Sequence, residues 1–278
     1  MLKMANSSLG RVLYKGKSSP LGHEILGSHS PDWGWPEFPA PSPLLLFERV
    51  KDILPIVLAD EIQSRIPAMR LHALQLEGAK IGVGHRSLDQ LRARLLRRME
   101  QWFADHPNYQ QAQEWTSLSD FRPGKERLRG GPQGPFFEAL EAMAHRAPFP
   151  VVNDAVDAAR LLSLYYLRPI FLLDAGNLKP PLILLPCPDS FVLPTPQGPV
   201  LAPGSLVLAD HEKALRSVDH DVLRAPVLES TRSLLLVLVD PGAPKPIDHE
   251  EFSYRAANWM ESLTKARLVA QGCTPEQA

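Results

Sequence analysis

The chain has 278 residues, with 30 Lys and Arg against 31 Asp and Glu, for a net charge of −1. That balance excludes a global field that would draw the protein to nucleic acid, so any RNA contact needs a local patch. The length allows one large domain or a domain with a sizeable extension, and an apolar share of 44% supports a buried core.

Proline, at 28 residues, is about twice its usual share of roughly 5%. Much of it lies between Pro31 and Pro43 and between Pro180 and Pro203, which favours turns and edge strands there. Two cysteines, Cys187 and Cys273, are too few for a disulfide framework, which points to a reducing compartment. The start, MLKMANSSLG, lacks the apolar core of a signal peptide. The longest apolar run, Leu234–Val239, is far too short to span a bilayer. A cytoplasmic protein without a membrane partner is expected.

In chain order, residues 1–45 read as an N-terminal arm of Ser, Gly, Pro and aromatics without a steady period. Trp33 and Trp35 either pack this arm onto the domain or belong to a mobile tail. Residues 46–268 form the domain, and 269–278 a C-terminal tail. Met69, Leu71 and Ala73 alternate with Arg70 and His72, the pattern of a strand with one wet face. The alternation then slips by one residue to Leu74 and Leu76, which suggests a bulge.

A helix is predicted over 88–103, capped by Ser87 with Gln90 at capping-box spacing. Leu88, Leu91, Leu95, Met99 and Trp102 form its apolar stripe. Arg92, Arg94, Arg97 and Arg98 lie mainly off that stripe, and Arg122, Lys125, Arg127 and Arg129 follow in a Gly-Pro-rich loop. These cations are either a solvated face or a phosphate-binding surface for RNA. Asp89, Glu100, Asp120 and Glu126 lie among them and weaken the second reading.

Further helices are predicted over Phe136–Arg146 and Asn153–Leu167, the latter capped by Asn153 and closed by Pro169. Short strands follow at Ile170–Leu173, Leu182–Leu185, Phe191–Leu193, Leu206–Ala209 and Leu234–Val239. A last helix begins at Asp248, with Glu251 in capping-box position, and runs to about Leu268.

There is no phosphate-binding loop, no dinucleotide fingerprint and no Gly-x-Ser-x-Gly elbow. No Cys-x-x-Cys pair is present, so neither a metal nor another cofactor is expected. His211 with Glu212, and the contiguous Asp219, His220 and Asp221, read as surface polar residues. Cys187, between prolines, reads as a small buried apolar residue.

Residues 148–240 carry a recognisable order of short motifs. Asn153, Val156 and Asp157 stand at helix positions, and Pro169 closes that segment. A strand ends in Asp174, and Pro203, Gly204, Leu206, Val207, Ala209 and Asp210 form a later turn and strand. Thr231 precedes the last strand. In this order the segment resembles the B3/B4 domain of the phenylalanyl-tRNA synthetase beta subunit, in particular its stand-alone relatives. The resemblance implies an α+β fold, three layers with a β-sandwich of unusual topology and flanking helices. It also implies tRNA or aminoacyl-tRNA as partner, with hydrolysis of a mischarged aminoacyl ester as activity. An apolar pocket rejects an added hydroxyl only modestly, which is why such a second sieve is useful.

The pocket implied by the resemblance is formed by Asn153, Asp157, Arg160, Phe171, Asp174 and Arg224. The family's Thr-Asn pair on the helix is replaced by Ala159 and Arg160, and its strand His by Phe171. Its Gly-Gly-Glu segment has no counterpart, since Val222, Leu223 and Arg224 lie there. Two alternatives stay open: a non-catalytic module for RNA or an amino-acid-like ligand, and a small-molecule enzyme that grips an anionic substrate through Arg160 or Arg224. Asn153 reads first as a helix cap, and Asp157 and Asp174 first as residues that fix turns.

Overall fold

The computed structural model describes residues 53–106 and 134–275, apart from Pro148, Pro150, Ser190, Gln197, Ala202, Leu223, Ala243 and Pro244. The basic residues Arg122, Lys125, Arg127 and Arg129 and the arm 1–45 lie outside the described residues.

The elements run in the order β1 (Ile56–Leu58), α1 (Asp60–Arg65), β2 (Arg70–Glu77), α2 (Arg86–Asp105), α3 (Pro135–Ala144), α4 (Asp154–Tyr166) and β3 (Ile170–Asp174). Then come β4 (Leu182–Pro186), β5 (Val192–Thr195), β6 (Gly198–Leu201), β7 (Leu206–Ala209), β8 (Ala214–Ser217), β9 (Ser233–Asp240), α5 (His249–Thr264) and β10 (Arg267–Thr274). One four-stranded sheet has the order β10-β2-β9-β3, a second β1-β4-β7-β8, and β5 pairs with β6. All described pairings are antiparallel except β1 with β4. This is an α+β fold.

The continuous apolar run Leu234–Val239 sits at the centre of the first sheet as β9, with every side chain at 0% exposure. A strand buried on both faces needs no polar alternation. Each of these side chains contributes about 1.5–3 kcal/mol by leaving water. Helices α4 and α5 cover one face of this sheet, and α2 and α3 pack against α4. The second sheet meets the first where the Thr274 hydroxyl donates to the Ile56 carbonyl at 3.0 Å, and where Arg216 of β8 donates to the Leu172 carbonyl of β3 at 3.0 Å.

Four expectations need correction. β2 has no wet face: Leu71, His72, Ala73 and Leu74 are all buried, because α5 begins over His72 and brings Phe252 to 5.9 Å from its ring. Its slip in alternation is not a bulge in β2, whose register to β9 is unbroken. The irregularity lies in β10, between Leu268 and Ala270. The cap of α2 is His85, whose Nδ1 accepts from the Ser87 amide at 3.2 Å, so the helix starts two residues earlier than the hydroxyl suggests. Finally, α5 stops at Thr264, where Lys265 takes a left-handed conformation with φ of 61°. Arg267–Thr274 is then free to pair as an edge strand, so residues 269–274 belong to the sheet rather than to a tail.

Candidate functional site: a cleft between two helices and two strands

A cleft of about 250 Å³ opens between α3, α4, β3, β8 and the segment 218–227. Its walls are mainly apolar, with Phe136, Val156, Phe171, Val222 and Val227 among them. Arg160, Arg216 and Asp221 supply charge. Close approach of α3 to β8 depends on Gly134, its N-cap, where a Cβ would fall 2.1 Å from the Val218 carbonyl oxygen. That approach brings Phe136 into the wall.

Arg216 builds one side. Its Nη1 donates to the carbonyls of Leu215 (2.9 Å), Val222 (3.1 Å) and Arg224, and its Nη2 to those of Leu172 (3.0 Å) and Ala225 (3.1 Å). The guanidinium therefore ties β8, β3 and the 222–225 segment together around the cleft. Burial lowers its pKa to about 10, so it stays charged at neutral pH.

Arg160 extends from the second turn of α4. Its Nη1 lies 3.8 Å from the Asp157 carboxylate, with the arginine side chain 13% exposed and the aspartate 1%. Burial raises the Asp157 pKa, against the pull of the Val152 amide, Arg160 and Arg92. Arg160 also feels Glu138 of α3. Desolvation raises the Glu138 carboxyl first, Asp221 raises it further, and Arg160 lowers it. Glu138 itself is exposed and is not among the residues that line the cleft, so the carboxylate inside it is Asp221.

The sequence-derived pocket residues divide. Arg160 and Phe171 line the cleft together. Asn153, Asp157, Asp174 and Arg224 are not among its lining residues. Asn153 is the cap of α4: its Oδ1 accepts from the Val156 amide at 2.9 Å and its Nδ2 donates to the Val227 carbonyl at 3.0 Å. The second bond anchors a cleft wall from behind. Asp174 fixes the turn after β3 by accepting from the Gly176 amide, the Asn177 side chain and, at 2.9 Å, the Thr231 hydroxyl. Arg224 contributes its backbone carbonyl to Arg216. In the same way Asp210 holds its turn through the amides of Glu212 and Lys213.

On α2 the cations serve different ends. Arg97 is exposed, Arg94 is half-buried, and Arg98 stacks on Tyr165 at 4.4 Å. The Asp219-His220-Asp221 run is not a surface feature throughout: Asp219 is buried and accepts from the Ser205 hydroxyl, and Asp221 lines the cleft. Asp221 was visible in the sequence only as one member of that triplet. Arg216 carried no local signal, because its role arises from pairing and packing.

No family model matches the chain, and no curated protein matches it. Among solved structures, an N-terminal fragment of the phenylalanyl-tRNA synthetase beta-subunit from Pyrococcus horikoshii superposes with a TM-score of 0.41 at 11% identity, covering 83% of this chain and 57% of that one. The chain thus spans little more than half the length of that fragment, and a likeness of this degree carries no argument about activity.

Proposed function

We propose that the cleft receives an aminoacyl group presented as an ester on tRNA, and that the protein binds or hydrolyses that ester. The observation that carries this reading is the combination of an apolar chamber of about 250 Å³ with opposite charges in its lining, Arg160 and Asp221. Drug-sized ligands occupy roughly 300–1,000 Å³, so this chamber suits a group the size of one amino-acid side chain. The apolar walls take the side chain, Asp221 takes the α-ammonium group, and Arg160 takes a carbonyl, ribose or phosphate oxygen. The motifs that resemble the B3/B4 domain supply the tRNA part of the reading.

Hydrolysis needs a water against the ester carbonyl and a group to accept its proton. Water adds to the carbonyl carbon, its proton passes to the surrounding water, and the ribose oxygen leaves with a proton. Free amino acid and uncharged tRNA result.

A panel of charged tRNAs incubated with the protein tests this. Faster deacylation of at least one of them, lost in Asp221→Asn, is the expected result. Binding without deacylation supports the module reading. Neither binding at low salt nor deacylation removes tRNA from the account and leaves a free amino-acid-like ligand, detected by thermal stabilisation that Arg160→Ala abolishes.

A further inference from the structure

The second chemical centre of this fold lies among residues that do not line the cleft. His72 of β2, His249 at the first position of α5 and Cys273 of β10 bring Nδ1, a ring nitrogen and Sγ within 4.8 Å of one another. The register explains the meeting. Cys273 is the direct partner of His72 across the β10–β2 ladder, and directly paired residues share one face. α5 starts over that same face, with the His249 ring stacked on His72 at 5.4 Å between centroids.

The two imidazoles meet through like atoms, Nδ1 to Nδ1, at 3.2 Å. Two nitrogens that each bind one tetrahedral zinc at ~2.0–2.1 Å stand about 3.3 Å apart. The far nitrogen of His72, Nε2, faces the Asp240 carboxylate at 3.7 Å. Asp240 is held in place by Arg168 at 3.1 Å and by the amides of Gly242 and Ile247. A carboxylate behind a histidine orients the ring and strengthens it as a ligand, the usual outer arrangement of zinc sites.

We propose that His72, His249 and Cys273 bind a zinc ion, with Asp240 behind His72 and the fourth position open to water. Two imidazoles with one thiolate suit zinc over magnesium or calcium. His72 is fully buried, whereas His249 and Cys273 are partly buried. The ion joins β2, the start of α5 and the edge strand β10, so it staples the last strand of the sheet to its neighbours. This inference does not depend on the function proposed for the cleft.

Metal-stripped full-length protein titrated with Co²⁺ and then Zn²⁺ provides the test. The expected result is visible d–d absorption together with a thiolate-to-cobalt charge-transfer band, both displaced by Zn²⁺, and a zinc-dependent rise in Tm. Cys273→Ser removes the charge-transfer band, and Cys273→Ser and His249→Gln each weaken zinc binding about tenfold or more. The two positions stand at a helix start and near the end of an edge strand, and circular dichroism checks that the metal-free variants retain the fold. Absence of a thiolate band in the unaltered protein overturns the site. So does zinc affinity unchanged in both variants, because the metal would then bind at other histidines.

Discussion

Removing the Arg216 guanidinium is expected to unmake the cleft wall and to cost a large part of the protein's stability. The side chain donates to five backbone carbonyls, four of them on β3 and the 222–225 segment. Each charge-assisted bond contributes about 1.5–3 kcal/mol net, but the five are not additive, and burying the guanidinium itself is costly. Breaking such a buried charged network costs about 3–5 kcal/mol. Arg216→Met keeps the apolar stem and deletes every donor. With an unfolding slope of about 2 kcal/mol/M, its urea midpoint should drop by about 1.5–2.5 M at unchanged slope. Arg216→Lys keeps the charge but cannot fork between β3 and the loop, so it should recover less than half of the loss. A midpoint within about 0.5 M of the unaltered protein for Arg216→Met would refute the role of this residue as the tie between the two sheets.

Two further outcomes follow from the same geometry. Asn153→Ala should lose about 1–2 kcal/mol in urea unfolding, because α4 loses its cap and the Val227 carbonyl loses its donor. His249, with a folded-state pKa near 4 against the usual 6.5, stays neutral after the unfolded chain has taken up its proton. Stability therefore falls as pH drops from about 6.5 to 4. His249→Gln should remove about 2 kcal/mol of the loss between pH 7 and 4.5, measured with a chelator present. Parallel losses in the two proteins would contradict this.

Helix starts are legible wherever a short side chain caps. Asn153 and Asp248 each accept from the amide three residues on, as their spacing indicates. His85 escapes notice because imidazole is an uncommon cap, while Ser87 offers the familiar signal. Strand β9 is legible as an apolar run, and β3, β4 and β7 as short apolar segments between Pro and Gly. β8 is not, since Ala214–Ser217 has only two large side chains and is a strand by virtue of pairing with β7. His72 reads as the polar half of an alternation, and only tertiary covering by α5 makes it a buried residue. Of the cleft, Arg160 and Phe171 are positions that the sequence reading singles out. Arg216 and Asp221 are not, because no spacing in the chain reports which carbonyls or charges a side chain will meet after folding.

The account rests on the cleft as the place where an aminoacyl group is held. Isothermal titration of a non-hydrolysable aminoacyl-adenosine amide into the unaltered protein and into Val156→Phe measures this directly, since Val156 is a half-buried lining residue and the larger ring fills the chamber. One-to-one binding of at least one apolar aminoacyl analogue, lost in Val156→Phe while the fold is retained, is the result expected. Equal affinity in both proteins would place the ligand elsewhere and contradict the account.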